Sequence, residues 1–214
     1  MKNVYEANQQ IANRNRSKFK ENGIFAFDLM GSPGAGKTSL LEATLGMLKE
    51  YVKPAVIEGD LSTALDAGRI SNLGIPVIQI NTNGECHLDA RMIDKVLSGF
   101  NLDEVDLMII ENVGNLVCPA EFDLGEHFKV VVISVAEGAD KPVKYLPAFL
   151  AASAVVINKT DLLPYCDVDI NQMKKDILDI NPDMKIFEIS CRLKEGLAPW
   201  VNYILEGIKG TKSS

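Results

Sequence analysis

The chain has 214 residues, of which 47% are hydrophobic, so it can bury one sizeable core and one domain is the expectation. Its formal net charge of −7 argues against nucleic-acid binding and against an electrostatic membrane anchor. Apolar stretches fall short of the roughly 18 residues that span a bilayer, and the polar N-terminal segment lacks a signal-peptide core. The expected location is the cytoplasm.

A polar segment at residues 5–21 predicts a helix outside the main core, and residues 1–22 are expected to form a peripheral N-terminal element. Apolar runs then predict strands at residues 24–30, 54–58, 76–80, 107–111, 130–135, 154–158 and 185–189. Helices are predicted at residues 37–49, 62–72, 86–99, 141–152, 169–180 and 197–208, followed by a frayed tail at 209–214. Near-continuous apolar strands that alternate with helices are typical of an α/β fold with a mainly parallel sheet covered on both faces.

A glycine-rich loop follows the first predicted strand. Residues 31–38 read G-S-P-G-A-G-K-T, a pattern whose glycines let backbone N–H groups point at phosphate oxygens at the start of a helix. In this motif the lysine reaches the β- and γ-phosphates and the hydroxyl ligates Mg²⁺. We therefore expect a P-loop NTPase fold with a nucleotide site formed by Gly34, Ala35, Gly36, Lys37, Thr38 and Ser39.

Two acidic strand ends are expected at the same edge of the sheet. Residues 58–60 read E-G-D, and residues 111–114 read E-N-V-G, which resembles the D-x-x-G switch of GTPases with Glu in place of Asp. The candidate magnesium ligands are Thr38, Asp60, Asp66 and Glu111, and the candidate catalytic residues are Lys37, Asp60 and Asp66. A cap at a strand end or a solvated charge stays open for each acid. No glutamine follows Gly114, so slow intrinsic hydrolysis is expected.

The nucleotide is predicted to carry guanine. Residues 158–161 read N-K-T-D at the end of a predicted strand and resemble the NKxD motif of GTPases, in which the Asp accepts hydrogen bonds from guanine and the Lys covers the base. Adenine would leave that carboxylate without donors. The resemblance assigns GTP or GDP to Asn158, Lys159 and Asp161. Ser190 and Cys191 stand where the family's base-contacting loop lies, with a partial match.

Cysteine and histidine suggest a second metal site. Cys86 and His87 fall at the start of the helix predicted at 86–99, where a helix N-terminus would lower the thiol pKa. Cys118 lies on the loop that leaves the E-N-V-G strand. If the loops meet, two sulfurs and one imidazole suit Zn²⁺ or Ni²⁺. Burial of the cysteines as small apolar residues stays the alternative.

The ordered motifs G-S-P-G-A-G-K-T, E-G-D, G-E-C-H-L-D-A, E-N-V-G-N-L-V-C-P and N-K-T-D resemble the HypB family of hydrogenase-maturation GTPases, of the SIMIBI class. The resemblance covers residues 31–161. It implies nickel or zinc bound by Cys86, His87 and Cys118 at the interface of a GTP-dependent homodimer, and nickel insertion into [NiFe]-hydrogenase. The implied partners are the hydrogenase large-subunit precursor and a partner nickel metallochaperone.

Two other interpretations remain open. A urease accessory nickel-delivery GTPase would carry Cys-Pro-His as its metal motif, whereas this chain has Cys86-His87 and a separate Cys118-Pro119. A ParA/MinD-like regulatory nucleotidase without metal delivery would have an extra lysine early in the P-loop, where this chain has Ser32. Residues 1–30 contain neither Cys nor His, so we do not expect the nickel-storing clusters that some HypB members carry there.

Overall fold

A computed structural model describes residues 2–60 and 65–212. Its strands form one seven-stranded sheet in the order β3-β2-β4-β1-β5-β6-β7. The strands are β1 Phe25–Gly31, β2 Pro54–Asp60, β3 Val77–Asn81, β4 Leu107–Gly114, β5 Phe128–Ser134, β6 Ala152–Asn158 and β7 Lys185–Glu188. All neighbouring strands pair in parallel, so their carboxyl ends meet along one edge.

Helices cover both faces of this sheet. They are α1 Lys2–Glu21, α2 Lys37–Leu48, α3 Leu65–Ser71, α4 Ala90–Leu97, α5 Lys141–Lys144, α6 Leu146–Ala151, α7 Ile170–Ile180 and α8 Leu197–Lys212. On one face α2 and α8 bury Phe27, Ile109 and Trp200. The other face is covered by α1 and α4 at one side and by α6 and α7 at the other. Strands buried on both faces read as apolar runs, and the predicted α/β P-loop NTPase fold is confirmed.

Helix α1 lies closer to the core than its polar sequence predicts. Ala12 and Phe19 have no exposed surface, and Phe19 belongs to the hydrophobic cluster beneath α4. Asn15 Nδ2 donates to the carbonyl oxygens of Ala90 and Leu124, at 2.9 and 3.0 Å. The helix therefore lies on the surface of the domain, with most of its side chains exposed, and packs one narrow face that includes Ala12, Asn15 and Phe19 against the core.

Two other boundaries differ from the prediction. The helix expected at 141–152 is divided at Tyr145, because Pro147 lacks the N–H that would continue the helical hydrogen bonds. At the other end α8 extends through Lys212, whose Nζ lies 2.6 Å from Asp106 Oδ1, so the expected frayed tail was wrong for residues 209–212. Residues 62–64 and 213–214 lie outside the described residues.

In the described part of the chain, no helix combines the length and the apolar character needed to cross a lipid bilayer.

Candidate functional site

The P-loop is held in place by the N-K-T-D segment. The loop leaves β1 at Gly31 and enters α2 through Gly36, whose φ of +96° lies in the left-handed region. Asn158 Nδ2 donates to the Ala35 carbonyl at 3.1 Å, and Lys159 Nζ donates to the Gly34 carbonyl at 2.6 Å. A Cβ on Gly36 would collide with Asn158 Nδ2. The two predicted nucleotide motifs therefore form one hydrogen-bonded unit.

A cavity of about 490 Å³ lies on the β6 side of this unit, where the motif predicts the base. The Ser190 hydroxyl is buried and donates to Asp161 Oδ1 at 2.7 Å, so it fixes the carboxylate that would read guanine. Burial raises the pKa of the Cys191 thiol to about 11, so this side chain stays a neutral thiol at the cavity wall. The lining comprises Gly36, Ser39, Glu42, Ala43, Asn158, Lys159, Asp161, Leu162, Cys191, Arg192 and Lys194.

A second cavity of about 400 Å³ lies on the β2–β4 side of the P-loop and shares Gly36, Ser39 and Lys159 with the first. It brings together the residues predicted to bind phosphate and magnesium, namely Lys37, Thr38, Asp60, Asp66 and Glu111. Lys37 Nζ donates to the Gly31 carbonyl at 3.2 Å, and burial lowers the pKa of this lysine. The sequence had separated these groups by up to 74 positions, and the parallel sheet assembles them at one edge.

Two buried carboxylates face this cavity, and one of them, Glu58 of the E-G-D strand end, was not among the predicted magnesium ligands. Glu58 and Glu111 are partners in the register between β2 and β4, and they are 3% and 4% exposed. Burial raises the pKa of Glu58 to about 8 and that of Glu111 to about 7. Thr38 Oγ1 donates to Glu111 Oε1 at 2.7 Å, while the Oε2 atoms of both acids lack a hydrogen-bond partner among the described residues. Buried carboxylate oxygens without a hydrogen-bond partner are suitable ligands for a hard divalent cation such as Mg²⁺.

Asp66 reaches the same cavity from α3 but is held by a neighbour that the sequence analysis also missed. Arg69 Nη1 donates to Asp66 Oδ1 at 2.9 Å, and its Nη2 forms a short ion pair with Glu42 Oε2 on α2. Because Arg69 binds both α3 and α2, it fixes the approach of Asp66 to the P-loop. The Asp-x-x-Arg spacing on a predicted helix could have indicated this ion pair, because side chains three positions apart are neighbours on a helix surface.

Cys86, His87 and Cys118 meet as the sequence predicted. Their donor atoms all lie within 4.8 Å of one another; Cys86 Sγ is 2.7 Å from Cys118 Sγ and 3.7 Å from His87 Nδ1. The expected helix start at Cys86 was wrong, because α4 begins at Ala90, where Asp89 Oδ1 caps it by accepting from the Met92 N–H. The pKa of the Cys86 thiol is raised, chiefly because it donates a hydrogen bond to Cys118, and the expected lowering by a helix N-terminus was wrong because Cys86 precedes α4.

Helix α1 and one aromatic ring fix the two loops that carry these donors. His87 stacks on Phe122 with ring centroids 3.9 Å apart. Asn8 Oδ1 accepts from the Ala90 N–H at 2.9 Å, and Asn8 Nδ2 donates to the Asp123 carbonyl at 2.8 Å. One asparagine of α1 thus binds both the segment after His87 and the segment after Cys118. This role of Asn8 could not be predicted from the sequence, since it depends on contacts between residues 82 and 115 positions apart.

The fold and the two joined cavities define a P-loop nucleotide-binding protein. Residues 26–188 match the family described as "CobW/HypB/UreG, nucleotide-binding domain". The chain is 48% identical over 201 residues to hydrogenase maturation factor HypB of Escherichia coli K12, covering 94% of this chain and 69% of the relative. It is 42% identical to a probable HypB of Methanocaldococcus jannaschii, covering 99% and 96%. The chain therefore belongs to the CobW/HypB/UreG family, in its HypB branch.

Solved structures agree with this assignment. HypB from Archaeoglobus fulgidus is similar with a TM-score of 0.89 and 39% identity, covering 95% of this chain and 99% of that one. HypB from Helicobacter pylori, solved in complex with nickel, also gives a TM-score of 0.89, with 37% identity and coverage of 95% and 96%. Both comparisons confirm the resemblance that the ordered motifs indicate.

We predict that Glu58 makes the metal-free protein less stable as pH rises. A glutamate ordinarily has a pKa near 4.5, and burial raises the pKa of Glu58 to about 8 in the folded chain. Between these values the unfolded chain has released a proton that the folded chain keeps, so the free energy of unfolding falls with rising pH and levels off above the folded pKa. Urea unfolding of nucleotide-free protein in EDTA, from about pH 5 to about pH 8.5, measures this slope.

The substitution Glu58→Gln is expected to flatten that slope, because its side chain does not ionise. The matched control is Glu104→Gln, a glutamate in an exposed position far from the cavity. A slope that Glu58→Gln leaves equal to that of Glu104→Gln would show that Glu58 does not titrate in this window.

Proposed function

We propose that the chain is a GTP-hydrolysing metallochaperone that binds nickel or zinc and assists GTP-dependent nickel insertion into [NiFe]-hydrogenase. The observation that carries this proposal is the cluster of Cys86, His87 and Cys118 on the same sheet edge as the nucleotide cavities. Two sulfurs and one imidazole suit Ni²⁺ and Zn²⁺ and are poor ligands for Mg²⁺. The nickel complex of the Helicobacter pylori HypB, a protein of the same branch, supports nickel as the cargo.

Guanine selection is assigned to Asp161, supported by Asn158, Lys159, Ser190 and Cys191. A carboxylate in the 490 Å³ cavity accepts hydrogen bonds from the N–H and amino groups of guanine, and adenine offers no such pair. The hydrogen bond from Ser190 aims the Asp161 carboxylate before the base arrives. The Lys159 stem, held by its bond to the Gly34 carbonyl, would lie along the base.

Phosphate binding is assigned to residues 34–39, with Thr38, Asp60, Asp66 and Glu111 as the residues that would hold Mg²⁺. The bound ion would neutralise charge on the β- and γ-phosphate oxygens. Lys37 contributes a positive charge from α2; burial lowers the pKa of its amine, and the nearby carboxylates, Glu111 first, offset part of that effect. Asp60 and Asp66 are the candidates that orient the attacking water, and without a glutamine after Gly114 the turnover is slow.

The proposal includes a homodimer closed by GTP, a large-subunit precursor of hydrogenase as acceptor and a partner nickel metallochaperone as donor, acting in the cytoplasm. Cys86 is exposed, so its sulfur is accessible from outside the protein. Three donors leave at least one position of a four-coordinate metal open. A second copy of the chain, or a protein that delivers or receives the ion, can fill that position.

Replacing Asp161 with asparagine is expected to shift nucleotide preference from guanine to xanthine. Asparagine exchanges an acceptor oxygen for an amide donor, and xanthine has a carbonyl oxygen where guanine has its amino group. Loss of one hydrogen bond to a charged group costs about 1.5–3 kcal/mol, which weakens GDP binding roughly tenfold to a hundredfold. Calorimetric titration with GDP and xanthosine diphosphate measures both affinities. Asp167→Asn, an exposed position nearby, is the control; unchanged GDP affinity in Asp161→Asn would contradict guanine selection by this residue.

Replacing Cys118 with alanine is expected to weaken nickel binding by roughly tenfold or more, because one of three donors is lost. GDP affinity should stay near that of the unchanged chain, since Cys118 lines neither nucleotide cavity. Calorimetric titrations with Ni²⁺ and with GDP measure the two quantities separately. Cys166→Ala, another partly buried free cysteine, is the matched control. Equal nickel affinity in both variants would remove Cys118 from the metal site.

Dimer formation is expected to need a nucleoside triphosphate. Native mass measurements of the chain with GDP and with a non-hydrolysable GTP analogue, each with and without Ni²⁺, report the oligomeric state and the metal stoichiometry together. We expect monomers with GDP and dimers with the analogue. A chain that stays monomeric under all four conditions would contradict the dimer and leave nickel binding to be judged by its own stoichiometry.

A further inference from the structure

Asn112 connects the nucleotide cavity to the segment that carries His87, here called the metal loop (residues 86–89). Asn112 follows Glu111 on β4, lines the cavity of about 400 Å³ and is 1% exposed. Its Oδ1 accepts from the Leu88 N–H at 3.1 Å and from its neighbour Val113 N–H at 3.0 Å. The residue next to the predicted magnesium ligand thus bonds directly to the residue next to the predicted nickel ligand.

Leu88 also contacts the other acid-bearing strand. Its side chain has no exposed surface, and a Cβ placed on Gly59 would come within 2.8 Å of it. Gly59 lies between Glu58 and Asp60 at the end of β2. The metal loop therefore rests on β2 through the Leu88 side chain and on β4 through the Leu88 backbone.

A second set of contacts leads from Asn112 to the imidazole ring itself. Asn112 Nδ2 donates to Asp28 Oδ1 at 3.0 Å, and Lys129 Nζ donates to Asp28 Oδ2 at 2.9 Å. The same lysine amine donates to the Phe122 carbonyl at 2.8 Å, and the Phe122 ring stacks on His87. Asp28 is fully buried and Lys129 is 8% exposed, so this network lies inside the protein. The Asn112 Oδ1 atom therefore binds the backbone next to His87, and its Nδ2 atom is linked through Asp28 and Lys129 to Phe122, whose ring stacks on the imidazole.

We propose that Asn112 is a positioning residue for the metal site: it fixes the backbone beside His87 and the aromatic ring on which His87 stacks. Successive residues of a strand point to opposite faces, so Glu111 faces the phosphate cavity while Asn112 faces the metal loop. This role rests on the proposed function, because it requires that Cys86, His87 and Cys118 bind nickel. Outer residues that orient ligands typically change metal affinity about 10–100-fold when they are removed.

The test is a Ni²⁺ titration of the full chain followed by thiolate-to-nickel charge-transfer absorption, a signal that depends on ligand geometry. Asn112→Ala is expected to weaken nickel binding roughly tenfold and to shift the absorption bands, because the Leu88 N–H loses its side-chain acceptor and Asp28 loses one of its two donors. The matched control is Asn181→Ala, which removes an asparagine whose Nδ2 donates to the Ala152 carbonyl far from both sites. That variant should keep the affinity and the spectrum of the unchanged chain.

Asn112→Ser removes less of the side chain and keeps a polar group in the same place. It replaces the alanine variant in the test if circular dichroism shows that Asn112→Ala is unfolded. A folded Asn112 variant with unaltered nickel affinity and spectrum would overturn the positioning role, and so would unfolding of both variants, because Asn112 would then act through stability alone. If the unchanged chain itself binds no nickel, the proposed function fails as well. The unchanged chain thus separates failure of the function from failure of this role.

Discussion

The pleat of strand β4 is the constraint on which the two sites depend. Its successive side chains point to opposite faces of the sheet, and the strand lies between β2 and β1. Glu111 is therefore directed to the P-loop and bonds to Thr38, while Asn112 is directed to the opposite face and bonds to the Leu88 backbone. A shift of one residue in the β2–β4 register would reverse both directions. The nucleotide cavity and the metal loop thus lie on opposite faces of the sheet and are contacted by adjacent residues of β4.

The two nucleotide cavities differ in how far their polar groups are satisfied. On the base side, Asn158, Lys159 and Asp161 each bond to a backbone carbonyl or to Ser190. On the phosphate side, Glu58 and Glu111 lie side by side with raised pKa values and one unpaired oxygen each. Burial side by side disfavours ionising both carboxylates, so this half of the site gains most from a bound cation. The base side is preorganised, and the phosphate side is the half that ligands stabilise.

Features formed by contiguous residues could be predicted from the sequence. The P-loop and N-K-T-D segments could be recognised as contiguous motifs, and the structure joins them by hydrogen bonds; the apolar runs located all seven strands of the described sheet. Contacts between distant segments could not be read in the same way. Glu58 has meaning only through its register partner Glu111, and helix α1 seemed peripheral because its buried asparagines bond to loops far along the chain. The start of α4 was misplaced because apolar periodicity continues through Leu88, whereas the Asp89 cap sets the true boundary.

Under the proposed function, the contrast between the two cavities indicates which part of the nucleotide would act on the metal loop. Binding of a base would change the preorganised base side little, because the hydrogen bonds that orient its side chains already exist. Charge entering the phosphate side changes the environment of Glu58 and Glu111, and the ends of β2 and β4 that carry them both touch Leu88. A ligand shifts a structure only as far as its contacts differ between states. Under the proposed function, the γ-phosphate and its cation are the part of the nucleotide that would alter contacts next to the metal loop, so GTP and GDP would differ where the loop is attached.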